Sequence, residues 1–241
     1  MYKQEVEQVA RIFNYQNVAY QVIKDLILKS DLVPDQKVSK KDLTQLLGIG
    51  DTPVREAIIQ LREEGLLRVV PQSGTFVSKI NLQEVKEARF VRQNIERLVV
   101  EEAFDKIKAN EIQELENKVT IQQAYKVTMQ HDYMDTGNHD IFFKLDEEFH
   151  EFFYQIANKR HVWEWMQMLN ISLNRYRYLR IELKDLSWDG IIEEHENIVT
   201  LIKEGKKKEL GEQIVAHLDM FDKDVDIVIN AFPEYFDLEG E

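Results

Sequence analysis

Apolar positions in the first 80 residues recur in short blocks of changing period. Val18, Val22, Ile23, Leu26 and Ile27 follow three- and four-residue spacing, which predicts an amphipathic helix ending before Pro34. Ser39 is placed to cap a short second helix through Leu47, stopped by Gly48. Thr52-Pro53 reads as an N-cap followed by proline at the first helical position. It opens a third helix with Val54, Ala57, Ile58 and Leu61 on one face, ending at Gly65. Two β-prone runs, Leu66 to Val70 and Thr75 to Lys79, flank Pro71-Gln72-Ser73-Gly74 and predict a hairpin.

From Asn81 onward the pattern carries no strand signal and turns wholly helical. It predicts six helices, at about 82–108, 111–130, 140–157, 160–184, 190–204 and 207–231. Asn110 and Asn138 are candidate caps, and Met134 to His139 and Trp188-Asp189-Gly190 are the clearest loops. Short connections favour an antiparallel arrangement. The expected fold is therefore mainly α: an N-terminal winged helix-turn-helix over residues 1–80, then an antiparallel all-helical bundle of about six helices over 81–241.

Charge sharpens this division. The net charge is −13, which by itself argues against nucleic acid, but residues 10–79 hold 10 basic against 8 acidic side chains while residues 80–241 hold 20 against 34. A polyanion is tolerated by the first region and repelled by the second. There is no cysteine, hence no thiolate metal site or disulfide. No apolar run approaches the ~20 residues of a membrane span, and the first nine residues lack the apolar core of a signal peptide. The expectation is a cytoplasmic protein without membrane contact.

In a winged helix-turn-helix the third helix enters the major groove and the wing lies along the backbone or minor groove. Arg55, in the first turn of that helix, can pair with guanine or phosphate, and Lys40 and Lys41 at the start of the second helix with phosphate. Ser73 and Gly74 at the wing tip offer backbone N–H groups. A small helical domain with solvated Arg and Lys would carry the same pattern. Beyond the pattern, residues 18–79 resemble the DNA-binding domain of the GntR regulators. The resemblance rests on Asp51-Thr52-Pro53-Val54-Arg55-Glu56-Ala57-Ile58, then Leu61, Glu64-Gly65-Leu66 and the wing Pro71-Gln72-Ser73-Gly74-Thr75-Phe76-Val77. It implies a homodimer on palindromic double-stranded operator DNA, with Lys41 and Arg55 touching DNA; Asp51 and Thr52, at the start of the third helix, are further candidate contacts. The family usually has arginine two residues before the proline; this chain has Asp51.

Three of the six histidines lie on or beside inward faces of different helices. His150 falls in the stripe of Phe142, Leu145, Phe149, Phe152 and Ile156; His195 continues Ile191 and Ile192; His217 lies between Ile214 and Phe221. Asp146 stands one turn before His150 on the same face. Burying four such groups without partners is costly. Each histidine could instead bond a backbone carbonyl, or all four groups could converge on one divalent ion per chain, zinc or nickel, leaving coordination positions open. His131, His139 and His161 lack this placement and read as surface or loop.

Arg92 lies on the inward stripe of the first helix of this region and needs an anion, either an internal acid such as Glu96 or a ligand carboxylate. Arg175 and Tyr176 are further candidates for a pocket wall. Trp163, Trp165, Tyr176 and Tyr178 suit a core or a dimer interface. Residues 81–231 resemble the FCD domain of the FadR-type branch of the GntR regulators, through Asp146 and His150, Glu194-His195-Glu196 with Ile198, and Ala216-His217-Leu218. In metal-binding members the positions of Asp146, His150, His195 and His217 are the ligands, and a small carboxylate effector meets a position such as Arg92. Six helices would place the domain nearer the VanR-like subgroup. Two rival readings stand beside a regulator that senses an organic acid at a metal. One is a regulator whose effector is the ion itself. The other is a metalloenzyme using Glu147, Glu148, Glu194 or Glu196 as base, against which the winged helix argues.

Overall fold

A computed structural model describes residues 2–129, 137–183 and 189–238, with side chains over 15–127, 140–183, 190–219 and 223–238. His131, Met134 to Thr136 and Trp188 lie outside these residues, as does the side chain of His139. The chain forms two compact units, residues 1–81 with 234–241, and residues 82–233.

The first unit opens with α1 (Tyr2–Leu28), longer than the sequence pattern anticipates. Its buried face is Ala19, Tyr20, Ile23 and Ile27, while Val18 is exposed. Strand β1 (Lys37–Val38) precedes α2 (Lys40–Leu47), whose Ser39 side chain accepts from the Asp42 amide and whose C-cap Gly48 is left-handed at φ 62°. Helix α3 (Asp51–Glu63) starts earlier than the sequence suggests: Gly50 is the N-cap and Asp51 the first helical residue. Thr52 is therefore not the cap. Pro53 sits in the first turn, where no intrahelical partner for its nitrogen is needed. Strands β2 (Leu67–Val70) and β3 (Gly74–Val77) form the expected hairpin, with Leu67 opposite Val77 and Val70 opposite Gly74. Pro71 presets φ at the first corner of the turn, and Gln72 takes the positive φ (64°) at the second. The sheet order is β1-β3-β2. Ala19, Ile23, Val54, Ala57, Leu61, Leu66 and Val77 make the core between α1, α3 and the sheet.

This unit also holds a pairing that the sequence did not predict. Strand β4 (Ile80–Asn81) runs parallel to β5 (Phe236–Asp237), which follows a single 3-10 turn η1 (Pro233–Tyr235) near the C-terminus. Ile80 and Phe236 are both buried. Two-residue strands carry no alternation to read, so the expectation of no strand from Asn81 onward does not hold.

The second unit comprises α4 (Leu82–Phe104), α5 (Ala109–Met129), α6 (Gly137–Ile156), α7 (Arg160–Leu169), α8 (Ile171–Ile181), α9 (Asp189–Lys203), α10 (Lys207–His217) and α11 (Met220–Ala231). Two of the six expected helices are each divided, giving eight helical segments among the described residues. The assignment to a six-helix subgroup therefore loses its support. The breaks fall at Asn170 (φ −84°, ψ 9°) and Leu218 (φ −81°, ψ 1°), where the backbone enters the bridge region. Neither glycine nor proline marks them, so the apolar period runs straight through. Asn110 and Asn138 lie just inside α5 and α6 rather than capping them, and Asp189 and Gly190 begin α9. The core is aromatic and aliphatic, with Val100, Leu115, Phe142, Phe149, Phe153, Ile198, Leu210 and Ile214 at its centre.

Candidate metal centre and DNA-binding face

Four helices of the second unit each turn a polar residue into that core. On α4 the buried stripe is Val85, Ala88, Arg92, Glu96, Val99 and Ala103, so a guanidinium and a carboxylate stand one turn apart inside the bundle. On α6 the stripe Phe142, Asp146, Phe149, His150 and Phe153 does the same for a carboxylate and an imidazole. Helices α9 and α10 contribute His195 and His217. Asp146, His150, His195 and His217 are all buried, and one donor atom from each lies within 4.8 Å of the others.

The outward ring nitrogens explain how these four are held. His150 Nδ1 donates to Glu96 Oε1, His195 Nδ1 to Gln122 Oε1 at 2.8 Å, and His217 Nδ1 to Glu194 Oε2 at 2.7 Å. Gln122 on α5 is itself oriented, because its Nε2 donates to the Leu145 carbonyl at 3.0 Å and leaves only its oxygen for His195. With each Nδ1 carrying the proton, each Nε2 presents a lone pair. Those lone pairs point at one another: His217 Nε2 is 3.2 Å from both His195 Nε2 and His150 Nε2. Asp146 Oδ1 completes the group at 3.6 Å from His195 Nε2 and 3.8 Å from His150 Nε2. Neutral imidazoles so arranged have no hydrogen bond to offer each other. A cation among them removes the conflict, and the N3O donor set suits zinc or nickel.

Electrostatics favour the ligating protonation states. Burial holds the His195 imidazole well below its ordinary pKa of 6.5, and burial lowers His217 as well. Burial is the largest influence on Asp146 and opposes its ionisation, but the Arg177 guanidinium and the three imidazoles together outweigh it, and the carboxyl falls below its usual range.

A cavity of about 450 Å³, counting its open mouth, adjoins the cluster. Four arginines line it: Arg89, Arg92, Arg177 and Arg180, together with Asp146, His150, Tyr176 and His217. Arg92 pairs with Glu96 (3.1 Å) and Glu147 (3.4 Å), so it has internal anions, yet its Nη2 is buried without a partner. Arg180 donates through Nε to Asp224 at 2.6 Å, and its Nη1 is likewise unpartnered. Of the three residues expected at an effector site, Arg92 and Tyr176 line the cavity, whereas Arg175 is buried and does not. Arg177 and Arg180 take the place expected for Arg175. The signal was present: Leu173, Tyr176, Arg177 and Arg180 are spaced i, i+3, i+4, i+7, one face of α8, and Arg175 is off it. Gln122 could have been found the same way, continuing the buried stripe of Leu115 and Val119. His161 is exposed beside Glu164, as expected for a surface residue.

In the first unit the expected DNA contacts sit at the surface. Lys41, Thr52, Arg55 and Ser73 are exposed. Gly74, at φ 128°, lies under Lys37: a Cβ there would come within 2.8 Å of Lys37 Cε. Lys40 is not free. Its Nζ donates to Asp51 Oδ2 at 2.5 Å, Thr44 Oγ1 reaches Asp51 Oδ1 at 3.4 Å, and the Lys40 hydrogen bond lowers the Asp51 pKa. Arg55 Nη2 donates to the neighbouring Glu56 at 3.0 Å.

Both units resemble known protein families. Residues 15–77 match the bacterial regulatory proteins of the gntR family, and residues 87–220 match the FCD domain. The chain is 29% identical over 163 residues to the HTH-type transcriptional repressor RspR of Escherichia coli (strain K12), covering 68% of each protein. It is 26% identical over 221 residues to an HTH-type transcriptional regulator in an unstable DNA locus of Streptomyces ambofaciens, covering 90% of this chain and 87% of that one. Among solved structures, E. coli McbR/YncC has the same fold, with a TM-score of 0.70 at 19% identity over 90% of this chain and 98% of that one. These curated relatives are transcriptional regulators by name.

Proposed function

This chain belongs to the GntR family of bacterial transcriptional regulators and carries an FCD domain, and from that premise we propose that it answers to a small organic acid bound beside a divalent metal ion. The observation that carries the reading is the convergence of three Nε2 lone pairs and one carboxylate oxygen whose outer atoms are already committed. Asp146, His150, His195 and His217 would hold one zinc or nickel ion. When bound, the ion supplies a Lewis-acid position for a carboxylate. Arg92 and Arg180 then offer unpartnered N–H groups to the same small anion, and Tyr176 forms an apolar wall with a polar tip.

Operator DNA would be read by α3, with Arg55 at a base edge or phosphate, Lys41 at phosphate and the Ser73-Gly74 tip along the backbone. Asp51 would act on DNA through Lys40, for which it competes with phosphate. We propose a homodimer on a palindromic site. Trp165, Met168 and Leu169, spaced i, i+3, i+4 on α7 and more than half exposed, are the apolar face offered for pairing. No helix among the described residues is long and apolar enough to cross a membrane, in keeping with a cytoplasmic location.

The test is a titration of zinc-loaded protein on its operator with a panel of small mono-, di- and tricarboxylic acids. At least one acid is expected to change operator affinity by the roughly 5–150-fold of ordinary allosteric coupling, and Arg92→Ala is expected to lose that response while keeping metal and DNA. If no acid acts and metal removal alone produces the whole change, the ion is the effector and the acid-sensing reading fails.

A further inference from the structure

Asp146 is gripped from both sides. Its Oδ1 faces the imidazoles, and its Oδ2 accepts from Arg177 Nη2. The guanidinium that does this has little freedom. Its Cζ lies 4.5 Å over the Phe143 ring, which stacks on Tyr178 at 4.3 Å. Its Nη1 donates to Glu147 Oε1 and, at 3.2 Å, to Asn174 Oδ1. Glu147 is in turn held by Gln167 at 2.7 Å and by Arg92. Planar, forked and stacked, this arginine cannot be replaced by lysine without losing one arm.

We infer that Arg177 is a positioning residue for the metal centre: it occupies Oδ2 of Asp146, so that Asp146 offers the ion one oxygen and a coordination position stays open to an anion. The inference rests on the metal-centre reading above. A carboxylate with both oxygens free can chelate through both and take two positions around an ion. With three imidazoles beside it, that would leave one position fewer for an effector. Arg177 borders the cavity and also a second, smaller one, lined in addition by Phe142, Phe143, Ile181 and Ile191. It is therefore placed to set the shape of the coordination sphere without itself being a ligand.

Cobalt(II) in the full-length chain reports this, because its visible bands change with coordination. Wild type is expected to take up cobalt and to change spectrum when acetate is added. Two variants are compared: Arg177→Met, and Arg177→Met with Glu147→Gln, which removes one partly buried charge of each sign so that the net charge of the site is kept. Both are expected to bind cobalt with an altered spectrum before any anion is present, and to respond to acetate at least about 10-fold more weakly, the loss usual for an outer-shell partner. Arg177→Lys should recover only part of the response. An anion-free spectrum that superimposes on wild type in the double variant overturns the inference, even if acetate binding weakens, since Arg177 would then contact the anion directly. Failure of wild type to take up cobalt overturns the metal-centre reading as well; normal uptake with an unchanged spectrum overturns only this one.

Discussion

In the winged-helix unit the Lys40–Asp51 pair is 46% and 65% exposed, whereas in the helical unit the Arg92–Glu96 pair is 2% and 0% exposed. The same side-chain chemistry does different work in the two places. An exposed pair adds little net stability in water and dissolves easily, so on the proposed reading Lys40 and Arg55 would exchange an internal acid for phosphate when DNA arrives. Breaking a buried pair costs about 3–5 kcal/mol because the remaining charge is stranded. Arg92, Glu96, Glu147, Arg177 and Asp146 therefore hold one another in fixed geometry, and that fixity aims His150 through Glu96, while Gln122 and Glu194 aim the other two imidazoles. Adaptable contacts suit a surface that must find a polyanion; rigid ones suit a site that must discriminate one small ligand.

The largest expected effect that separates the two regions is at His217. His217→Ala should lower metal affinity by more than the roughly 10–100-fold lost with an outer partner, while operator binding by the winged helix survives. Elemental analysis and an operator-binding assay on the same preparation check both halves. Next comes Gln122→Leu, which removes the acceptor that fixes the His195 tautomer and should cost about 10–100-fold in metal affinity, measured by chelator competition; unchanged affinity would mean that the ring is held by packing alone. Arg55→Ala should cost about 1–3 kcal/mol at the specific operator and leave zinc uptake untouched, as read by fluorescence anisotropy and zinc titration.

Acidification should also divide the units. All six histidines lie beyond residue 81, and burial depresses the pKa of His195 and His217 in the folded state. The unfolded chain then binds protons near pH 6.5 that the folded helical unit refuses, so stability is full above that pH and falls as pH drops toward the folded values. Thermal melts of metal-stripped protein between pH 6.5 and the carboxylate range should show the helical unit weakening and the winged helix, which has no histidine, unmoved. The smallest effect is expected from Asp51→Ala. Freed Lys40 should tighten binding to random duplex modestly and steepen its log–log salt dependence by about one unit. A salt series in which slope and affinity both stay constant would show that Lys40 does not reach phosphate.

The winged helix was legible because caps, turn residues and apolar spacing agree there: Ser39, Gly48, Gly65 and the Pro71 turn all behave as their chemistry requires. The four residues of the candidate metal site were legible because histidine on an apolar stripe is conspicuous. What the sequence hid was hidden for physical reasons. The breaks at Asn170 and Leu218 change ψ without changing the apolar period. The β4–β5 pairing joins residues more than 150 positions apart through strands too short to alternate. Spacing along α8 and α5 marks the faces that carry Arg177 and Gln122, but the groups these two hold, and the orientation of each imidazole, are set by neighbours on other helices.

The central claim is a buried three-histidine, one-aspartate metal centre, and calorimetric titration of zinc into chelator-treated full-length protein tests it most directly. The account predicts tight uptake of about one ion per chain, as for an N3O site of this kind, and its abolition in His217→Ala. No uptake by wild type, or equal uptake by both proteins, would contradict it.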